Sequence, residues 1–146
     1  MGSLIPSDGR LYLDANYFIY SVEKIEPYCL QLDPVWSAVD AGRATVVTSQ
    51  LTLLETLVKP VKMGDHLLEA LFRELLVDSG NVQLEPISRD VIDKAVVLRA
   101  QYGLKTPDAI HAATALASGC AAFVTNDLSF RKVAGLRIIP VLGIAD

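Results

Sequence analysis

TPDAIHAATALASGCAAFVTND, residues 106–127, reads as a helix that runs directly into a strand. Thr106 suits a helix cap and Pro107 the first helical position. The alanine-rich run favours helix, and Gly119 closes it just before the apolar stretch Ala121 to Thr125. Outward from this unit the same alternation recurs. Short β-rich runs are expected at Leu11 to Asp14, Thr45 to Thr48, Val82 to Glu85, Ala121 to Thr125 and Arg137 to Val141. They are mostly apolar, as strands covered on both faces are. Between them the spacing predicts helices over Tyr17 to Val22, Pro34 to Ala41 (closed by Gly42), from near Ser49, Asp65 to Val77 and Ser88 to Tyr102 (closed by Gly103). In Asp65 to Val77 the apolar face is Leu67, Leu68, Leu71, Leu75 and Leu76; in Ser88 to Tyr102 it is Val91, Ile92, Ala95, Val96 and Leu98. Strands alternating with helices imply an α/β fold, a three-layer α/β/α arrangement around a central parallel sheet of about five strands.

With 146 residues, 51% of them hydrophobic, the chain has the material for one core and one domain, residues 1–146. Mean hydropathy is +0.36, yet Gly, Pro or charge breaks every apolar run well short of the roughly 20 residues of a spanning helix. The first ten residues carry neither a basic leader nor an apolar signal core. A cytoplasmic protein without a membrane span is expected. Cys29 and Cys120 are too few and too far apart for a disulfide framework or a zinc knuckle, and both are expected to be buried thiols. The formal net charge of -4 argues against a broad basic surface that wraps nucleic acid. It leaves room for a nuclease, whose carboxylates must carry local negative charge to hold cations.

In open parallel sheets, ligands bind beyond the carboxyl ends of the strands, where strand order reverses. Asp14 ends the first expected strand and Asp127 follows the fourth. Asp108, in the first turn of the helix leading into strand four, starts from the same edge. Glu55 lies within two turns of the helix start after strand two, bounded by Leu53, Leu54, Leu57 and Val58. Singly, each aspartate has an ordinary explanation as a turn, cap or helix-dipole residue. A charge among leucines requires a partner, a metal or a turn toward solvent. Together, four acids in one crevice raise each other's pKa, and a hard cation is what makes such a cluster tolerable.

Four segments, Leu13-Asp14-Ala15-Asn16, Ser49 to Glu55, Thr106 to Ala113 and Val124 to Phe130, together resemble the PIN domain family over nearly the whole length. The resemblance implies a sheet ordered 3-2-1-4-5 and a metal-dependent ribonuclease, often the toxin of a VapBC-type toxin–antitoxin pair. Its acidic set falls on Asp14, Glu55, Asp108 and Asp127. Thr125 matches the hydroxyl residue beside the last acid, and Asn16 the polar residue near the first, although Asn16 also suits the cap of the following helix. Ala15 departs from the Thr or Ser common in relatives, which bears on substrate detail.

On this reading Mg²⁺ or Mn²⁺ supports phosphodiester hydrolysis. Asp14 and Asp127 are direct ligands, Asp108 a ligand directly or through water, and Glu55 orients that water or a second ion. His111, three residues after Asp108, is expected to be a packed, hydrogen-bonded residue rather than a ligand. Tyr17, Phe18, Trp36, Phe72 and Phe130 are expected mostly in the core. Lys59, Lys62, Lys105, Arg131 and Lys132 flank the acids as solvated surface that could meet phosphates. The expected partners are RNA, a cognate antitoxin and a second copy of the chain. The competing readings are a non-catalytic PIN-like interaction module, which the complete acid set counts against, and a phosphotransfer domain. The latter lacks the second acid two residues after Asp14.

Overall fold

The computed structural model describes Ile5 and residues 8–140. Five parallel strands form one sheet: β1 (Gly9–Leu13), β2 (Ala44–Ser49), β3 (Val82–Glu85), β4 (Ala122–Val124) and β5 (Ile138–Ile139). Their spatial order is β3-β2-β1-β4-β5, as the resemblance implies. Val141, the expected end of the last strand, lies outside the described residues. Six helices flank the sheet: α1 (Ala15–Val22), α2 (Tyr28–Asp40), α3 (Leu51–Met63), α4 (His66–Arg73), α5 (Arg89–Tyr102) and α6 (Thr106–Ala117).

Side chains alternate across a strand, so β1 splits between two cores. Leu11 and Leu13 join Phe18, Leu32, Val35, Val46 and Val124 beneath α1 and α2. Tyr12 joins Val47, Leu98, Ala112, Ala113 and Phe123 beneath α5 and α6. The alanines let α6 lie close to the sheet. Two helix starts are capped by side chains: Ser88 accepts from the Val91 N–H, and Asp65 from the Leu68 N–H. Among the described residues no helix is long and apolar enough to cross a membrane.

Several expectations are corrected. The second helix starts at Tyr28, six residues before Pro34. Proline removes a single bond, to the carbonyl of Leu30. Both Pro34 and Leu30 are exposed, so water can serve that carbonyl and the helix continues through. The helix expected over Asp65 to Val77 is α4 followed by a π-turn, Glu74–Asp78. Its leucines do not share one buried face: Phe72 and Leu76 are buried, whereas Leu67 and Leu71 are exposed. In α5, Val91, Ala95 and Leu98 are buried while Ile92 and Val96 face out. Thr106 begins α6 rather than capping it, and its hydroxyl accepts from Arg99. Cys29 and Cys120 are only partly buried.

Candidate metal centre

Strand order reverses between β1 and β4, which pair as neighbours with Leu13 opposite Val124. The chain leaves both strands at one edge of the sheet, Asp14 from β1 and Thr125 to Asp127 from β4. Asp14 caps α1, its Oδ1 accepting from the Asn16 N–H at 3.0 Å. Asn16 is therefore inside the helix, not at its cap. Thr125 is buried, and its hydroxyl accepts from the Asp127 N–H at 3.0 Å, while Asp127 Oδ1 accepts from the Ser129 N–H at 2.9 Å. These local bonds explain the loop geometry. A carboxylate has two oxygens with about four acceptor sites, so capping does not exhaust either aspartate.

Asp14, Asn16, Glu55, Asp108 and His111 line one crevice of about 110 Å³. Asp127 lines an adjoining depression of about 260 Å³ with Lys105, Asp108, Ser129 and Lys132. Asp108 is common to both. The four acids therefore form a row through Asp108 rather than a ring, with three at the crevice and Asp127 beside it. Among the described residues no three His, Cys, Asp or Glu side chains are grouped closely enough to hold an ion as they stand.

Burial foremost, with the nearby Glu55 and Asp108 carboxylates adding to it, raises the Asp14 carboxyl to about 6. The nearby His111 ring and the Asn16 N–H act in the opposite direction. Asp108 is raised for the same reasons, first burial and then Asp127, with Lys105 counteracting. Clustered carboxylate oxygens of this kind fit a hard divalent cation.

The framework behind the acids is polar and fully buried. The Thr48 hydroxyl donates to the Leu13 carbonyl at 2.6 Å and pairs with the Thr52 hydroxyl at 2.7 Å. It thus joins the residue before Asp14 to the turn of α3 that carries Glu55. The Tyr17 hydroxyl accepts from the Asn126 N–H at 2.8 Å, tying α1 to the loop after β4. His111 is 3% exposed. Its Nδ1 meets the Tyr12 hydroxyl at 2.6 Å and its Nε2 meets Glu55 Oε1 at 2.7 Å. Both ring nitrogens are engaged, in keeping with a packed, hydrogen-bonded histidine. Tyr12 carries no signal of its own in the sequence, since a hydroxyl within an apolar strand does not declare its partner. Of the aromatic residues, Tyr17, Phe18, Phe72 and Phe130 are buried and Trp36 partly so, while Lys59, Lys62, Lys105, Arg131 and Lys132 are exposed.

The PIN domain family model matches residues 11–136. No curated protein matches the chain by sequence. Among solved structures, the chain is similar to one in VapBC2 from Rickettsia felis bound to a promoter DNA fragment, with 17% identity and a TM-score of 0.71. That alignment covers 90% of this chain and 98% of the other. A toxin–antitoxin complex from Klebsiella pneumoniae aligns with 25% identity and a TM-score of 0.66, covering 92% and 99%. DNA-bound VapBC from Salmonella typhimurium aligns with 17% identity and a TM-score of 0.70, covering 92% and 99%.

Proposed function

The chain belongs to the PIN domain family, and on that premise we propose that it is a cytoplasmic, Mg²⁺- or Mn²⁺-dependent ribonuclease, the toxin of a toxin–antitoxin pair, with residues 1–146 forming one nuclease domain. The observation that carries this reading is the crevice in which Asp14, Glu55 and Asp108 converge, with Asp127 beside them.

Asp14, Asp108 and Asp127 would hold the ion, and Glu55 would orient the attacking water or a second ion. When bound, the ion activates water and offsets charge on the phosphate. The chain supplies the rest. Asn16, exposed at the crevice, is placed to donate its amide to a substrate oxygen. Thr125 fixes the backbone N–H of Asp127 and so the direction in which that acid leaves β4. Lys105 and Lys132 border the depression around Asp127, where they can receive a neighbouring phosphate of the strand.

The partner side of the reading is supported by exposed apolar surface. Leu54, Val58 and Val61 on α3 and Leu67 on α4 are each more than half exposed, and a groove of about 290 Å³ runs among Leu54, Val58 and Val61. We assign that stripe to the antitoxin. A homodimer would bury the second exposed stripe, Ile92, Val96 and Val97 on α5. A non-catalytic module would use the same surfaces, but it gives no reason for the acids.

The test is cleavage of labelled single-stranded RNA with Mg²⁺ or Mn²⁺ and then with EDTA, beside Asp14→Asn and Asp127→Asn. Cleavage should require metal and fall by at least about a hundredfold in each variant. Cleavage in EDTA, or variants as active as the parent, would overturn the mechanism. A small upstream reading frame encoding a DNA-binding protein would support the toxin role, and its absence another role in RNA processing.

A further inference from the structure

We propose that His111 is a positioning residue for this site: its imidazole is a strut, anchored by Tyr12, that holds the Glu55 carboxylate in a single orientation at the crevice. This rests on the nuclease reading above.

A glutamate on a helix has three free torsions, and freezing such a side chain costs on the order of 1–2 kcal/mol. Glu55 is 30% exposed along its side chain, so packing alone does not fix it. The fixed element is the ring behind it. His111 is buried, and rotation away from Glu55 would strand a ring nitrogen without a partner. Tyr12 is 0% exposed. It stacks on Phe123 at 5.1 Å and 6°, and meets the His111 ring edge-on at 5.7 Å and 68°. Its hydroxyl therefore has one place to be.

The direction of the chain follows from the hydrogens available. A phenol keeps its hydrogen at neutral pH and, buried, needs an acceptor; Nδ1, at 2.6 Å, is that acceptor. Nε2 is then the ring nitrogen that carries hydrogen, and it donates to Glu55 at 2.7 Å. The relay Tyr12–His111–Glu55 joins β1, α6 and α3, and ends on an acid that lines the crevice. Asp108, one turn before His111 on α6, lines the same crevice. The helix that carries one acid thus steadies another.

Long-range ¹H–¹⁵N spectra of the metal-free protein should show His111 as the Nε2–H tautomer, and Tyr12→Phe, which keeps the ring stack, should destroy that preference. In Mn²⁺-supported RNA cleavage, His111→Leu should lower kcat by about ten- to a hundredfold with KM little changed. His111→Gln, whose amide can still donate to Glu55, should recover most of the loss. Thermal melts establish that each variant folds; should His111→Leu not fold, Tyr12→Phe carries the kinetic test, with a smaller loss of kcat. A wild-type ring protonated at Nδ1 alone overturns the strut, as does equal kcat in the Leu and Gln variants. A wild-type protein that folds, shows the Nε2–H tautomer and cuts no RNA overturns the nuclease reading instead.

Discussion

Asp14 lines the crevice, capping α1 with one oxygen while burial and two neighbouring acids push its carboxyl up to about 6. An unfolded aspartate titrates near 3.9. The native state thus binds this proton more tightly than the unfolded state, so stability is lost as pH rises from about 4 to about 6 and stays lost above. Two pKa units correspond to about 3 kcal/mol. Asparagine keeps the cap and the volume without the charge. Metal-free Asp14→Asn should therefore melt above the parent at neutral pH, by up to that amount, and the gain should disappear toward pH 4. Thermal unfolding in EDTA across this range measures it; a parent that is more stable at neutral pH contradicts it. Asp14 and Asp108 were legible as site residues because strand ends and helix starts place them at one edge. The row-like arrangement was not, because side-chain direction within the loop after β4 depends on the bonds of Thr125 and Ser129.

Helix α4 shows what periodicity leaves open. Leucines at 67, 68, 71, 75 and 76 announce a helix, but a stripe that wide has two edges, and tertiary packing selects Phe72 and Leu76 for the core. The other edge leaves Leu67 and Leu71 exposed. Val58→Glu with Leu67→Glu, both at exposed positions, should leave the melting temperature nearly unchanged, each costing within about 0.5 kcal/mol. On the proposed toxin reading, the pair should abolish capture of a cognate antitoxin and leave RNA cleavage intact. Capture that survives both charges removes the stripe from that role. Pro34 misleads for the opposite reason: the rule that proline ends a helix assumes a buried orphan carbonyl, and here both Pro34 and Leu30 are exposed.

Across the molecule, the alternation of β-rich and helical runs was enough to read the layers, and the strand order followed from the resemblance and stands in the sheet. On the proposed reading, the net charge of -4 limits how RNA can be held. With Lys105 and Lys132 as the cations beside the acids, two phosphate contacts give a slope of about −1.4 for log affinity against log salt. Filter binding of single-stranded RNA to Asp14→Asn measures that slope; a value steeper than about −3 would require a basic surface that the crevice rim does not supply. The largest consequence comes from the smallest group. Thr48 never reaches the crevice, yet its one hydroxyl links the strand that delivers Asp14 to the helix that delivers Glu55. The spacing of these two acids thus leans on a third residue, and on the proposed nuclease reading damage at position 48 would read as a catalytic defect in a protein whose every acid is present.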